Sequence, residues 1–230
     1  SAANTSYRLR ARVSGNEVRD NSATGISCYA DRSGRQDVEI RANRVYANGG
    51  NGIQYFRRSG YTGTMNAVVA LNSIHDNTGH GLYGQSDNAA KVLFNNIYAN
   101  GGSSYDFYNA SASPVDGRFN FWGSATTSEM DGNPGLINIQ RIYDLFDDAA
   151  MGLINYSPYL ASAVDTGTDI ITRIFQPLSG DTISEGMLTL RGVAYARHGI
   201  DRVEISLDNG ATWDTASFDP VFSGKTLWYY

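Results

Sequence analysis

Val38-Glu39-Ile40-Arg41-Ala42-Asn43-Arg44-Val45-Tyr46-Ala47-Asn48 is the stretch that decides the fold, because its arrangement recurs through the first 125 residues. An asparagine followed two positions on by a large apolar residue occurs as Asn16/Val18, Asn43/Val45, Asn72/Ile74, Asn95/Ile97 and Asn120/Trp122. In the first four copies a second asparagine stands five positions after the first, at Asn21, Asn48, Asn77 and Asn100. The copies start 27, 29, 23 and 25 residues apart. A unit of this length cannot bury its own apolar face, so successive copies must stack.

The alternation inside each copy identifies strands. Counting back from the lead asparagine, positions −5, −3 and −1 are small or apolar in all five copies, as in Val38/Ile40/Ala42 and Ala67/Val69/Leu71. The intervening positions are mostly polar, as in Glu39/Arg41 and Asp116/Arg118. A period of two with one buried face is the signature of a strand. After the second asparagine the pairs Gly25-Ile26, Gly52-Ile53 and Gly81-Leu82, and Asp106-Phe107 in the fourth copy, open a further short strand. The expected fold is all-β: a right-handed parallel β-helix of about five coils, with Val18, Val45, Ile74, Ile97 and Trp122 as an internal column. Asn and Gly are expected to take the left-handed corners. Asn21, Asn48, Asn77 and Asn100 are expected to bond to one another as a ladder.

At these residues the chain resembles the pectate-lyase-like, NosD-like β-helix repeat proteins, over Ser6 to Leu160. Asn120-Phe121-Trp122-Gly123-Ser124 resembles a closing coil of that group, and Tyr156-Ser157-Pro158-Tyr159-Leu160 its exit segment. The resemblance implies a fold; the same repeat serves lyases, hydrolases, epimerases, adhesins and proteins without known catalysis. Ile139, Ile142, Tyr143, Phe146 and Ala150 follow helical spacing, with Asp144, Asp147 and Asp148 as the polar face. They predict a short helical or irregular cap.

The domain reading is residues 1–161 for the β-helix and its cap, 162–169 for a linker, and 170–230 for a second module. Thr182-Ile183, Leu188 to Tyr195 and Ile200 to Leu207 alternate like strands, and Asp208-Asn209-Gly210 signals a hairpin turn. The run Val203 to Trp213 resembles the Ig-like β-sandwich modules of bacterial secreted enzymes, including the one appended to sulfite-oxidase-type proteins. An Ig-like sandwich takes about 100 residues, so this one is expected to be incomplete, completed by unseen residues or by another chain.

Composition constrains partners. A net charge of −5 and a pI near 5.1 argue against nucleic acid and anionic membranes. No apolar run approaches the roughly 20 residues of a membrane span. A turn-rich composition with 25 Gly and 15 Tyr suits a secreted or cell-surface protein. The single Cys28 is read as a small buried residue. Asn4, Asn109 and Asn155 stand in Asn-x-Ser/Thr triplets that could accept glycans.

Outward side chains of stacked coils form columns. The expected columns are Ser27/Gln54/Tyr83/Tyr108, Tyr29/Phe56/Gln85/Ala110 and Arg19/Tyr46/His75/Tyr98. Rings beside amides and hydroxyls suit sugar rings, so Gln54, Phe56, Tyr83, Gln85 and Tyr108 are the candidate carbohydrate contacts. The alternative is that Tyr simply stabilises the solvent face of the sheets. Asp31, Arg58 and Asp87, with Arg57 beside them, are the catalytic candidates. Two carboxylates two coils apart would suit an inverting glycoside hydrolase. A lyase would need a base such as Arg57, Arg58, Lys91 or His80. The competing reading is a surface charge ladder in which Arg58 neutralises both aspartates. Asp131-Gly132-Asn133 and Asp144/Asp147/Asp148 carry oxygen ligands that could hold Ca²⁺; His75, His80 and His198 lack metal-ligand spacing, and no metal site or other cofactor is expected. Three functions remain open. The chain could bind polysaccharide or a surface glycan, or join other protein subunits in an extracellular assembly. It could be a polysaccharide lyase or glycoside hydrolase. It could be a purely structural surface or filament component.

Overall fold

A computed structural model of the chain describes residues 7–31, 34–102, 104–133, 135–166, 170–177, 182, 186, 188–196, 200–218 and 227–230. It divides into two compact units, Ser1–Thr166 and Gly167–Tyr230. Asn4, Ile183 and His198, singled out above, lie outside the described residues.

The first unit is a parallel β-solenoid of about four turns, built from three sheets. The first sheet stacks Tyr7–Ser14, Gly34–Arg41, Thr64–Ala70, Ala90–Leu93, Val115–Asp116 and Ile154–Asn155. The second stacks Glu17–Arg19, Arg44–Tyr46, Ser73–His75 and Asn96–Tyr98. The third stacks Ile26–Ala30, Ile53–Arg57, Leu82–Gly84, Phe107–Asn109 and Ile142–Tyr143. All these neighbours pair in parallel, so each of the first four coils contributes one strand to each side. The internal column is in register: Val18 pairs with Val45, Val45 with Ile74, and Ile74 with Ile97. Val45, Ile74 and Ile97 are fully buried, and Trp122 joins the same cluster.

Two asparagine ladders run along the stack, where the repeat predicts one. Asn21, Asn48 and Asn77 each donate from Nδ2 to the Oδ1 of the next coil's asparagine at 2.8, 2.8 and 2.9 Å. The lead asparagines do the same from Asn16 to Asn43, Asn72, Asn95 and Asn120, at 2.9, 2.9, 2.9 and 3.0 Å. Each acceptor Oδ1 also takes the backbone N–H of the preceding rung, as at Asn72 from Asn43 and at Asn95 from Asn72, both 2.9 Å. A buried amide with every group paired contributes stability where an unpaired one would cost it.

The left-handed corners do not fall on the asparagines. They fall one residue earlier, at Asp20, Ala42, Ala47, Leu71, Asp76, Phe94, Ala99 and Phe119, with φ between 50° and 61°. An L-residue there costs roughly 1–2 kcal/mol. The following asparagine compensates by bracketing the corner: Nδ2 of Asn48, Asn72, Asn77, Asn95 and Asn100 bonds the carbonyl two residues back, at 3.0–3.2 Å. Asparagine is thus selected as the clamp of the corner, with the turn conformation carried by whatever precedes it.

The ladder from Asn21 to Asn100 ends on a carboxylate. Asp106 Oδ1 accepts from both the backbone N and Nδ2 of Asn100 at 3.0 Å, and Arg141 approaches its other oxygen at 3.4 Å. Burial pushes the Asp106 carboxyl above its ordinary value despite these bonds. The helix of this region is Ser124–Asp131, upstream of the segment whose spacing predicts one. Residues 137–151 are instead irregular around Ile142–Tyr143, so of the two forms foreseen for the cap this segment takes the irregular one. Phe146, placed on the apolar stripe, is 43% exposed, while Asp144, placed on the polar face, is 2% exposed. Its two oxygens accept the backbone N–H groups of Phe146 and Ile154 at 3.0 and 2.9 Å, which sets the direction of the loop. Beyond the cap, Val164 returns to the solenoid, exchanging two 2.7 Å bonds with the side chain of Asn96.

The second unit is antiparallel. One sheet orders Ile170–Gln176, Arg191–Ala196, Leu227–Tyr229 and Ser217–Phe218, and a second pairs Glu204–Ile205 with Asp214–Thr215. Leu190, Ala194, Ala216 and Trp228 form its core. Gly192 pairs opposite Trp228, whose indole fills the space that a Cβ at position 192 would need.

Candidate functional site

The outward columns lie where the repeat puts them. On the third sheet Ser27, Gln54, Tyr83 and Tyr108 are neighbours in register, and Tyr143 adds a fifth rung. Tyr83 stacks on Tyr108 at 5.5 Å and Tyr108 on Tyr143 at 4.2 Å, with planes 11° and 4° apart. Gln54 is held at both ends, donating to Ser27 Oγ at 2.8 Å and accepting from Asn51 Nδ2 at 3.1 Å. Burial raises the pKa of Tyr83 and Tyr108. The next column begins with Tyr29 and Phe56, rings 5.9 Å apart, and the Gln85 N–H bonds the Tyr55 carbonyl at 2.8 Å, continuing the register.

Two further rings join this face from the corner. His80 and Tyr105 each stand two residues before the inward apolar residue of their coil, Leu82 and Phe107, as Asn51 stands before Ile53. Asn51 Oδ1 accepts the His80 N–H at 2.9 Å, and His80 Nδ1 accepts the Tyr105 N–H at 3.0 Å. The imidazole lies 4.9 Å from Tyr108 and 5.9 Å from Tyr105, and burial holds its pKa below the usual value. That shared offset was a usable signal in the sequence; Tyr143 had none, because it sat within a helical pattern.

On the second sheet Arg19, Tyr46, His75 and Tyr98 form the third column. His75 is stacked between Tyr46 and Tyr98 at 5.2 Å on either side, and its Nδ1 meets Asp76 at 2.8 Å. In both columns neighbouring rings stack face to face, and Arg44 lies over the Tyr46 ring at 4.6 Å. Stacking of this kind adds about 0.5–1.5 kcal/mol per pair.

Asp31, Arg58 and Asp87 are not joined as one acid–base group. Arg57, rather than Arg58, pairs with Asp87 at 3.0 Å, and the other Asp87 oxygen accepts the Met65 N–H at 2.7 Å. Arg58 donates its N–H to the Ala30 carbonyl at 2.9 Å, and its guanidinium lies 5.8 Å from the Tyr29 ring centre. Lys91 lies on the first sheet, beside Val68 and Asp116, away from both.

The oxygen-rich segments serve as local caps. Asp131 accepts the Tyr159 hydroxyl at 2.6 Å, Asp147 the Asp144 N–H at 3.1 Å, and Asp148 the Ala150 N–H at 2.9 Å. Among the described residues no group of three or more His, Cys, Asp or Glu side chains is placed to hold a metal ion. Asn109, a glycosylation candidate by sequence, is 1% exposed and donates to Ser113 and Gly152 carbonyls, which closes it to modification in the folded chain. Among the described residues no helix is long and apolar enough to cross a membrane.

In the second unit the hairpin Ser206 to Trp213 is held by its own side chains. Asp208 accepts from the Thr212 hydroxyl at 2.6 Å, the Thr212 N–H at 2.8 Å and the Ser206 hydroxyl at 2.9 Å. These bonds lower its pKa to about 2. Asn209 and Gly210 take φ of 58° and 91° at the turn. Leu207, before the turn in sequence, and Trp213, after it, are 68% and 60% exposed.

Fold and surface together define a parallel β-solenoid carrying an antiparallel, Ig-like module. Residues 166–223 match the family described as Mo-co oxidoreductase dimerisation domain, about a quarter of the chain. The solenoid matches no NosD or pectate-lyase family model. No curated protein and no solved structure matches the chain. The described residues do not fit a molybdenum cofactor: the chain's single thiol, Cys28, packs against the apolar interior of the first coil, where burial raises its pKa.

Proposed function

We propose that the chain is an assembly protein of the cell surface or extracellular space. Its solenoid, of the pectate-lyase-like and NosD-like repeat kind, acts as a rigid arm, and its Ig-like module pairs with a second copy. The observation that carries this reading is the match of residues 166–223 to a dimerisation domain, within which a stiffened hairpin leaves Leu207 and Trp213 exposed. Large apolar side chains held in water by a rigid turn mark contact surfaces, and Trp is over-represented at their centres. The aromatic columns support an arm more than a glycan groove, because a sugar ring needs a free ring face and these faces are stacked on one another.

Analytical ultracentrifugation of the whole chain tests this. A dimer is expected, converted to monomer by Leu207→Ser/Trp213→Ser with the far-ultraviolet spectrum unchanged. A monomer at every concentration contradicts the pairing. Glycan-array binding that disappears in Tyr83→Ala/Tyr108→Ala would move the function to the columns instead.

A further inference from the structure

Charge is segregated along the chain in a way that the net value of −5 conceals. Residues 1–58 hold ten of the 18 Lys and Arg but five of the 23 Asp and Glu. The remaining eight bases face eighteen acids. Five of those ten bases, against two acids, stand on the first two strands of the first sheet.

Arg8, Arg10 and Arg12 alternate along Tyr7–Ser14, opposite the inward Ala11 and Val13, and all three are exposed. A strand rises about 3.3 Å per residue, so their stems recur every ~7 Å. In register on the next strand stand Arg35, Asp37, Glu39 and Arg41. The two acids are buried beneath the arginines: Asp37 takes Arg8 and Arg35, each at 2.7 Å, and Glu39 takes Arg12 at 2.9 Å and Arg41 at 3.2 Å. Asn66, one coil further on, donates to Asp37 at 2.9 Å. The carboxylates fix the forks of Arg8, Arg12 and Arg35, whose side chains remain 43, 40 and 43% exposed. The side chain of Arg10, in register with Asp37, makes no hydrogen bond or ion pair among the described residues. Four exposed guanidiniums, those of Arg8, Arg10, Arg12 and Arg35, stand over the two carboxylates, with Arg41 buried beside Glu39, and leave a positive row.

We infer that this row binds a linear polysaccharide bearing carboxylate or sulfate groups. Guanidinium forks recognise planar and tetrahedral oxyanions by paired N–H bonds, and a straight row suits a chain whose anionic groups recur at regular intervals. A polysaccharide is favoured over a single-stranded nucleic acid because the stacking rings that bases need lie on the second and third sheets, away from this face. This surface is separate from the pairing module and stands or falls independently of it.

Binding of the whole chain is measured by calorimetry against a sulfated glycosaminoglycan oligosaccharide, polygalacturonate, neutral dextran and poly(dT). Both charged polysaccharides are expected to bind, more weakly as salt rises. Arg10→Gln is expected to weaken them about fivefold at low salt, with an unchanged melting temperature because Arg10 holds nothing in place. Arg8→Gln/Arg10→Gln/Arg12→Gln is expected to lose more than the single variant, and Leu207→Ser/Trp213→Ser none. Unchanged affinity in Arg10→Gln overturns the assignment. So does binding of dextran or poly(dT) as tight as that of the charged polysaccharides.

Discussion

Replacing Asn72 with Ala is expected to cost the solenoid about 3–4 kcal/mol, the sum of several buried groups left unpaired at roughly 1 kcal/mol or more each. Asn72 is fully buried, and its Oδ1 accepts both the backbone N–H and Nδ2 of Asn43 at 2.9 Å. Its Nδ2 bonds Ile40 O, Ala70 O and Asn95 Oδ1 at 2.9, 3.1 and 2.9 Å. Alanine removes all of these and also the clamp on the left-handed corner at Leu71. The same change at Asn21, exposed at the first coil, removes two bonds that water can replace. That variant is expected to lose about 1 kcal/mol or less. Urea unfolding of the two variants gives the comparison, and equal losses would reduce the asparagines to ordinary turn residues.

The second large effect is expected at Gly52. A Cβ there would lie 2.7 Å from Asn77 Nδ2, from the Gly81 carbonyl oxygen and from Ile74 Cγ2. Two of these belong to elements that cannot yield: the buried ladder amide and the backbone of the next coil. Gly52→Ala is therefore expected to destabilise by roughly 2–3 kcal/mol, the range for overpacking a close-packed interior. Gly102→Ala, where the added carbon meets nothing within 4 Å, is the control and should change the melting temperature little.

Much of this architecture was legible because a solenoid converts sequence offset directly into height. Val45, Ile74 and Ile97 could be placed from their distance to an asparagine alone, and so could Tyr46 above Arg19 or Tyr108 above Tyr83. The left-handed corners were not legible. General propensity assigns them to Asn and Gly, whereas here Leu71 and Phe94 are held in that conformation by the asparagine that follows. The tertiary clamp outweighs the local preference. Where the helix of this region falls was not legible for a related reason. Ser124–Asp131 has little apolar periodicity, while the helical spacing of Ile139, Ile142 and Phe146 arises in a loop shaped by the buried Asp144 carboxylate.

The site was legible in part. Columns within strands followed the repeat. The charged groups beyond the strand ends did not, because the coils differ in length there, and Asp87 turned out to pair with Arg57. The arginine row was hidden by the net charge, since the acidic remainder of the chain masks it in any whole-sequence value.

The central claim is that side chains one repeat apart are adjacent across coils. Engineered cysteines test it in a Cys28→Ser background. Strands in neighbouring coils lie about 4.8 Å apart, within disulfide reach, and second neighbours lie at about twice that, beyond it. Gln54→Cys/Tyr83→Cys is therefore expected to close a disulfide on mild oxidation of the folded chain, and Gln54→Cys/Tyr108→Cys to remain reduced. Closure of the second pair with the first left open would contradict the register and every column built on it.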